Sequence, residues 1–347
     1  MRKIISLILV LLLTFGAFGC FSQLKNIGGG DNVSSASESE TPSESESKTP
    51  SESGSETPSE SESEMTSESE IETPQVKTLG SLEVGSKVKV SHSEMGDMEF
   101  LIVDKDHDGY PENSTTLLTE KIIAYRAFDA KEPNNTISSR KTSGNNKYSE
   151  SNIDQWLNSS AGAGQWFSAR HSADQAPSGD FVYKGFNAYD QDAGFLAGFD
   201  DAFVAILKDT TIKVVLNTFA DGGGDESITR KFFLPSRSEL FGMSENSIME
   251  GSFLSYFSSN YGYLRQVKAS AYAEADNESS TNLSIYWLRT CSSECSDYVR
   301  YVGGDGGYYR NYAYYGNIGV RPLCNLSSDT KVSESPDENG YYSLVFN

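Results

Sequence analysis

The sequence predicts a mixed α+β domain, about 270 residues long, that follows a low-complexity segment. Three observations carry this expectation. Near residue 76 the composition changes from Ser, Glu, Thr and Pro to an ordinary globular mixture. Beyond that point strand-like and short helical patterns intermingle, without the regular strand–helix alternation of a parallel sheet. Long polar and glycine-rich stretches separate them, which fits a loop-heavy, mainly antiparallel architecture.

Residues 1–20 read as a secretory signal. Met1, Arg2 and Lys3 give a positive start, and Ile4 to Phe15 form an apolar run that is short for a bilayer span. The closing residues Ala17, Phe18, Gly19 and Cys20 resemble the bacterial lipoprotein signal, in which the cysteine is acylated and becomes the new N-terminus. That resemblance implies a lipid anchor at Cys20 and a membrane partner without a spanning helix. An ordinary signal with an incidental cysteine is the alternative.

Residues 21–76 read as a linker. TPSESESK begins at Thr41, TPSESGSE at Thr49 and TPSESESE at Thr57, a repeat of eight residues with no apolar face at helical or strand spacing. Such a segment buries nothing to offset the entropy of ordering it. Twelve Glu and one Asp face one Lys between residues 31 and 75, so like charges hold the segment extended. A solvated spacer is the reading; an acidic metal-binding tract is the alternative.

The domain then occupies residues 77–347. Residues 88–104 alternate as a hairpin, with Phe100 and Ile102 as core. Residues 149–159 predict a Ser-capped helix that buries Ile153, Trp156 and Leu157. A second helical face comes from Phe203, Ile206 and Leu207, and residues 211–219 are rich in strand formers. Residues 231–242 predict a strand, a turn at Pro235 and another Ser-capped helix.

Charge and motifs exclude several function classes. The chain carries 28 Lys and Arg against 49 Asp and Glu, a net charge of −21, so no nucleic-acid partner is expected. His92, His107 and His171 have no evident ligand partners nearby in sequence. There is no G-x-S-x-G, H-E-x-x-H or phosphate loop. Asp104, Asp106 and Asp108, followed by Gly109, resemble the opening half of a calcium loop, but Thr115 stands where a bidentate Glu belongs. Calcium is therefore one reading there, with Glu112 to complete the site, and a solvated Asp-Gly turn is the competing reading.

The densest signal lies near the end of the chain. Seven of nineteen tyrosines fall between Tyr298 and Tyr315. Half-buried tyrosines of an antiparallel sheet would account for some of them. Glycines at 303, 304, 306 and 307 interrupt any long strand, however, and paired tyrosines at 308–309 and 314–315 put rings on both faces. A recognition surface follows, built from Tyr298, Arg300, Tyr301, Tyr308, Tyr309, Arg310, Asn311, Tyr312, Tyr314 and Tyr315. Trp287, Leu288, Arg289, Val320 and Arg321 are expected in the framework.

Several phrases place the chain in a wider group: TTLLTEKIIAYRAFDAKEPNN (115–135), SNIDQWLNS (151–159), GAGQWF (162–167), KFFLPSRSEL (231–240), YWLRT (286–290), VGGDG (302–306) and GVRPLCNL (319–326). Together they resemble an uncharacterised domain family of bacterial and phage surface proteins, common in gut Firmicutes. The family is similar to the C-type-lectin fold shared by formylglycine-generating enzyme and the variable proteins of diversity-generating retroelements. The resemblance covers roughly residues 80–347 and implies that Thr290 to Asn317 lie on an exposed face, which retroelements diversify in such proteins. It also raises an alternative activity, copper-dependent oxidation by Cys291 and Cys295, although their spacing is one residue shorter than in that enzyme. These two cysteines are expected to be exposed, and Cys324 to be a buried small hydrophobe. The expectation is thus a surface lipoprotein without enzymatic activity, whose domain binds an extracellular protein or glycan. A structural cell-envelope protein is the further alternative.

Overall fold

The computed structural model describes residues 77–279 and 283–346. The signal segment, Cys20 and the linker through residue 76 lie outside the described residues. The described residues form one compact unit. Its strands, in chain order, are β1 (Lys87–His92), β2 (Gly96–Lys105), β3 (Ser114–Thr119), β4 (Ala124–Tyr125), β5 (Thr210–Val215), β6 (Asp225–Arg230), β7 (Phe232–Phe233), β8 (Tyr286–Cys291), β9 (Tyr298–Val302), β10 (Tyr308–Tyr312), β11 (Gly319–Val320), β12 (Leu323–Ser327) and β13 (Tyr341–Ser343). Five short helices join them: α1 (Ser138–Ser143), α2 (Asn152–Leu157), α3 (Asp201–Ile206), α4 (Arg237–Phe241) and α5 (Ala271–Asp276).

The architecture is α+β and mostly antiparallel. One sheet has the order β13-β1-β2-β3-β12-β7, a second the order β10-β9-β8-β11-β4, and β5 pairs with β6 as a separate ribbon. Parallel pairing occurs between β1 and β13 and between β8 and β11. A single apolar core draws on both larger sheets, from Val88, Phe100 and Leu117 to Trp287, Leu288 and Val299. The predicted hairpin is β1–β2, and Phe100 and Ile102 are fully buried in it.

The helices are short and are fixed by their caps and buried faces. In α2 the Ser151 hydroxyl accepts the Asp154 N–H, and Ile153, Trp156 and Leu157 enter the core as expected. In α4 Ser236 and Glu239 make a reciprocal capping box, and Gly242 closes the helix in the left-handed region that disfavours a side chain. In α3 Phe203 is buried and Ile206 half-buried, while Leu207 packs just beyond the helix end.

Arg321, between β11 and β12, ties the two large sheets together. Its Nε donates to the Thr119 carbonyl of one sheet at 2.9 Å and its Nη1 to the Tyr286 hydroxyl of the other at 3.2 Å. All six residues of β8 are buried, so Trp287, Leu288 and Arg289 belong to the framework, as do Val320 and Arg321.

Candidate binding surface

The tyrosine-rich segment folds as the outer hairpin of the second sheet. β9 and β10 pair with Tyr312 opposite Tyr298, Arg310 opposite Arg300 and Tyr309 opposite Tyr301, and β10 is the sheet edge. The glycines form the turn. Gly303 N–H donates to the Gly307 carbonyl at 2.7 Å, and Asp305 Oδ1 accepts the Gly307 N–H at 2.9 Å. Gly306 has φ +78°, and a Cβ there would fall 2.0 Å from the Gly262 carbonyl oxygen. A side chain at 306 would therefore be strained and would also push the turn off its neighbour.

One face of the hairpin continues into an aromatic ledge. Tyr298 and Tyr312 rings lie 4.4 Å apart, Tyr312 stacks towards Tyr315 at 6.0 Å, and Tyr315 stacks on Tyr183 at 4.2 Å. Tyr314 fills the corner, 5.3 Å from Tyr315 and 5.6 Å from Tyr183. Cations border the ledge: Arg310 over Tyr298 at 5.2 Å, Lys131 over Tyr314 at 5.9 Å and Lys184 over Tyr183 at 5.2 Å. Burial, with the neighbouring Tyr183, pushes the Tyr315 phenol up to about 12, so it is a neutral hydrogen-bonding group at physiological pH.

The opposite face carries a smaller patch. Tyr309, which is 45% exposed, stacks on Tyr301 at 5.7 Å and donates its hydroxyl to Asp305 at 2.7 Å. Tyr261 and Tyr263 stack on each other at 5.4 Å and are the more exposed pair, at 57% and 63%. They flank Gly262, against which the 303–307 turn is seated, and Arg265 Nε donates to the Gly306 carbonyl at 2.9 Å.

Two of the expected surface residues serve the framework instead. Tyr308 turns inward, packing on Phe241 at 5.4 Å and under Arg237 at 4.2 Å. Arg300 is held by Glu245 through contacts of 3.0 and 2.9 Å. Burial pushes the Glu245 carboxyl up, but the hydrogen bonds and charge of Arg300 outweigh it and hold the group below its usual range. Tyr298 contributes a ring to the ledge but is 9% exposed, so it supports more than it presents. Asn311 is half-buried, and its Oδ1 accepts the Tyr312 N–H at 2.9 Å. The exposed face is also shorter than Thr290 to Asn317. Thr290, Ser292, Ser293, Cys295 and Asp297 are all buried, because loops from distant parts of the chain cover them: Asn217 and Asn146 bond the Ser292 carbonyl, and Glu245 bonds Ser293.

Cys291 and Cys295 are likewise buried, against expectation. Cys291 is 1% exposed and its thiol donates to the Val215 carbonyl at 3.2 Å. Burial, reinforced by nearby Glu250, drives that thiol well above its ordinary range, which disfavours the thiolate that a copper site needs. Cys291 is a free thiol and so is not bonded to Cys295, itself 3% exposed. Cys324 is buried in β12, as predicted.

The three aspartates of the 104–109 stretch form a hydrogen-bonded turn in which each carboxylate has its own partner. Asp104 lies 2.7 Å from His107 Nδ1 and accepts from Ser255, Asp106 Oδ1 accepts the Ser114 N–H at 3.0 Å, and Asp108 accepts from Ser252 at 3.1 Å. This arrangement resembles the plain turn more than a cation loop.

Sequence reading missed Tyr183, Lys131, Lys184, Tyr261 and Tyr263. The phrase YGYLR at 261–265 offered a local signal, two tyrosines about a glycine; Tyr183 and the lysines offered none.

The model of a family described as a domain of unknown function, DUF6273, matches residues 113–328. The chain belongs to this family. No curated protein and no solved structure matches it. The DUF6273 match begins at the end of the β2–β3 turn and ends just beyond β12, so β1, β2 and β13, which complete the six-stranded sheet, lie outside it.

Proposed function

We propose that this DUF6273 chain is a surface lipoprotein whose domain, of C-type-lectin-like architecture, binds an extracellular protein or glycan through the β9–β10 hairpin. The observation that carries the reading is the edge-strand ledge of Tyr298, Tyr312, Tyr314, Tyr315 and Tyr183, bordered by Arg310, Lys131 and Lys184. Rigid phenol rings give contact area at low entropic cost, and their hydroxyls and the flanking cations orient a polar partner. Anchoring through Cys20 would hold the domain at the outer face of the membrane. Recognition without turnover agrees with the burial of Cys291, which offers no accessible thiol pair for oxidation. Diversification of the hairpin by a retroelement is part of the same proposal.

The test is to screen the secreted chain on a glycan array and by panning a surface-displayed peptide library, then repeat with Tyr312→Ser, Tyr315→Ser and Arg310→Ala. Loss of a selected ligand with an unchanged melting temperature supports the surface. A ligand retained by all three variants places binding elsewhere. Sequencing codons 285–325 across one population tests diversification: substitutions confined to 297–317, with Trp287 and Val320 to Pro322 fixed, support it, and a uniform sequence opposes it.

A further inference from the structure

A second polar cluster begins at Glu132, next to the ledge cation Lys131, and plays no part in the reading above. Glu132, His171 and Asp174 bring one ligand atom each within 4.8 Å of one another, the one such group of three among the described residues. The sequence reading found no ligand partner near His171, yet Asp174 stands three residues on, in a turn closed by the Asp174 N–H to the His171 carbonyl at 3.2 Å. Glu132 arrives from a loop some forty residues earlier. Its Oε1 is 2.9 Å from His171 Nε2, and a fourth carboxylate, Glu150, lies 3.7 Å from the same nitrogen.

Two independent features separate this group from a chance acidic patch. First, it is buried: Glu132 is fully covered and Asp174 is 6% exposed. Secondly, Asp174 Oδ1 is completely buried and has no hydrogen-bond partner, while Oδ2 accepts the Arg170 N–H at 2.8 Å. A carboxylate oxygen withdrawn from water without a partner costs free energy that something must offset. The nearby arginines are engaged elsewhere, Arg140 with Asp221 at 2.6 Å and Arg170 with the Ser149 and Ser151 carbonyls at 3.0 and 2.6 Å.

The geometry points to a structural divalent-metal site at Glu132, His171 and Asp174, with zinc as the ion. One imidazole and two carboxylates, with Glu150 or water as a fourth donor, match the mixed N/O set of a four-coordinate zinc better than the all-oxygen shell of calcium. Asn135 and Asn145 donate to the Glu132 carboxylate and fix its orientation, as outer partners of metal ligands do. The ion would pin two loops, that of Glu132 and the 171–174 turn, close to the ledge, since Lys131, next to Glu132, reaches over Tyr314 and its N–H donates to the Phe181 carbonyl at 2.9 Å.

The experiment is calorimetric titration of the chelator-treated full chain with zinc chloride and, separately, calcium chloride, together with metal analysis and melting curves. Zinc is expected to bind at one equivalent and raise the melting temperature, with calcium binding weaker. Asp174→Asn keeps the shape of the side chain, and His171→Ala alters a partly exposed ring, so both variants are expected to fold. Each should weaken zinc by at least about 100-fold, while Asp104→Asn leaves it unchanged. No stoichiometric uptake, uptake that survives His171→Ala, or a preference for calcium would each overturn the assignment.

Discussion

Two strands of one sheet carry the same residue types to opposite ends. β8 and β10 are separated only by β9, and each contains an arginine and tyrosine. Arg289 of β8 is fully buried and spends its donors internally. It bonds Glu239 twice, at 2.7 and 2.6 Å, and reaches the carbonyls of Leu234, Glu250 and Lys213 at 2.9, 2.6 and 3.1 Å. Arg310 of β10 is exposed, lies over a tyrosine ring and has its nearest carboxylate, Glu294, at 3.9 Å. The difference teaches that arginine and tyrosine by themselves signal neither framework nor surface. What decides is whether the rest of the fold consumes their hydrogen-bonding capacity.

Breaking the buried side of the comparison should have the largest effect. Arg289→Met leaves Glu239 without its guanidinium and is expected to cost about 3–5 kcal/mol, read by urea unfolding. A cost below about 1 kcal/mol would mean that the pair is not the keystone of β8.

The same network makes stability depend on pH. Glu239 receives the guanidinium directly, and despite full burial its carboxyl is held below the usual range. Glu250 gives Arg289 only its backbone carbonyl, so burial dominates and pushes its carboxyl up to about 7. Between the ordinary carboxylate range and that value the folded state keeps a proton that the unfolded state gives up. Its contribution is therefore present at acid pH and is lost as pH rises towards 7, by up to roughly 3 kcal/mol. Wild type should lose stability relative to Glu250→Gln as pH rises through that window, because the glutamine does not titrate; a parallel offset at every pH would refute the assignment.

The edge strand should respond more weakly. Tyr312→Ser removes a ring stacked between neighbours and is expected to cost on the order of 1 kcal/mol, with a larger proportional loss of any selected ligand. Arg310→Ala should change stability by less than about 0.5 kcal/mol. A substantial destabilisation there would turn the ledge into framework and remove the contrast with β8.

Local features of the fold were legible in the sequence. Ser151 and Ser236 announced two helices because a cap needs only neighbours in sequence, and the β1–β2 alternation announced its hairpin. Trp287, Arg289 and Arg321 were placed in the framework correctly. The facing of individual side chains was not legible, since it depends on distant chain: Tyr308 turns in because Phe241 and Arg237 wait beneath it, and Cys291 is covered through Val215. Glu132, His171 and Asp174 have no common spacing, so only the folded chain brings them together.

The pairing of β1 with β13 bears on how the domain can be joined to other chain. Lys87 lies beside Tyr341 in parallel register, Thr78 bridges Lys331, and Val332 bridges Leu344, so the first and last described segments share one border of the six-stranded sheet. The β10 edge belongs to the other sheet. Entry and exit by a common border make the domain a plug-in cassette. Transplantation into a host loop through that border is expected to leave the hairpin intact.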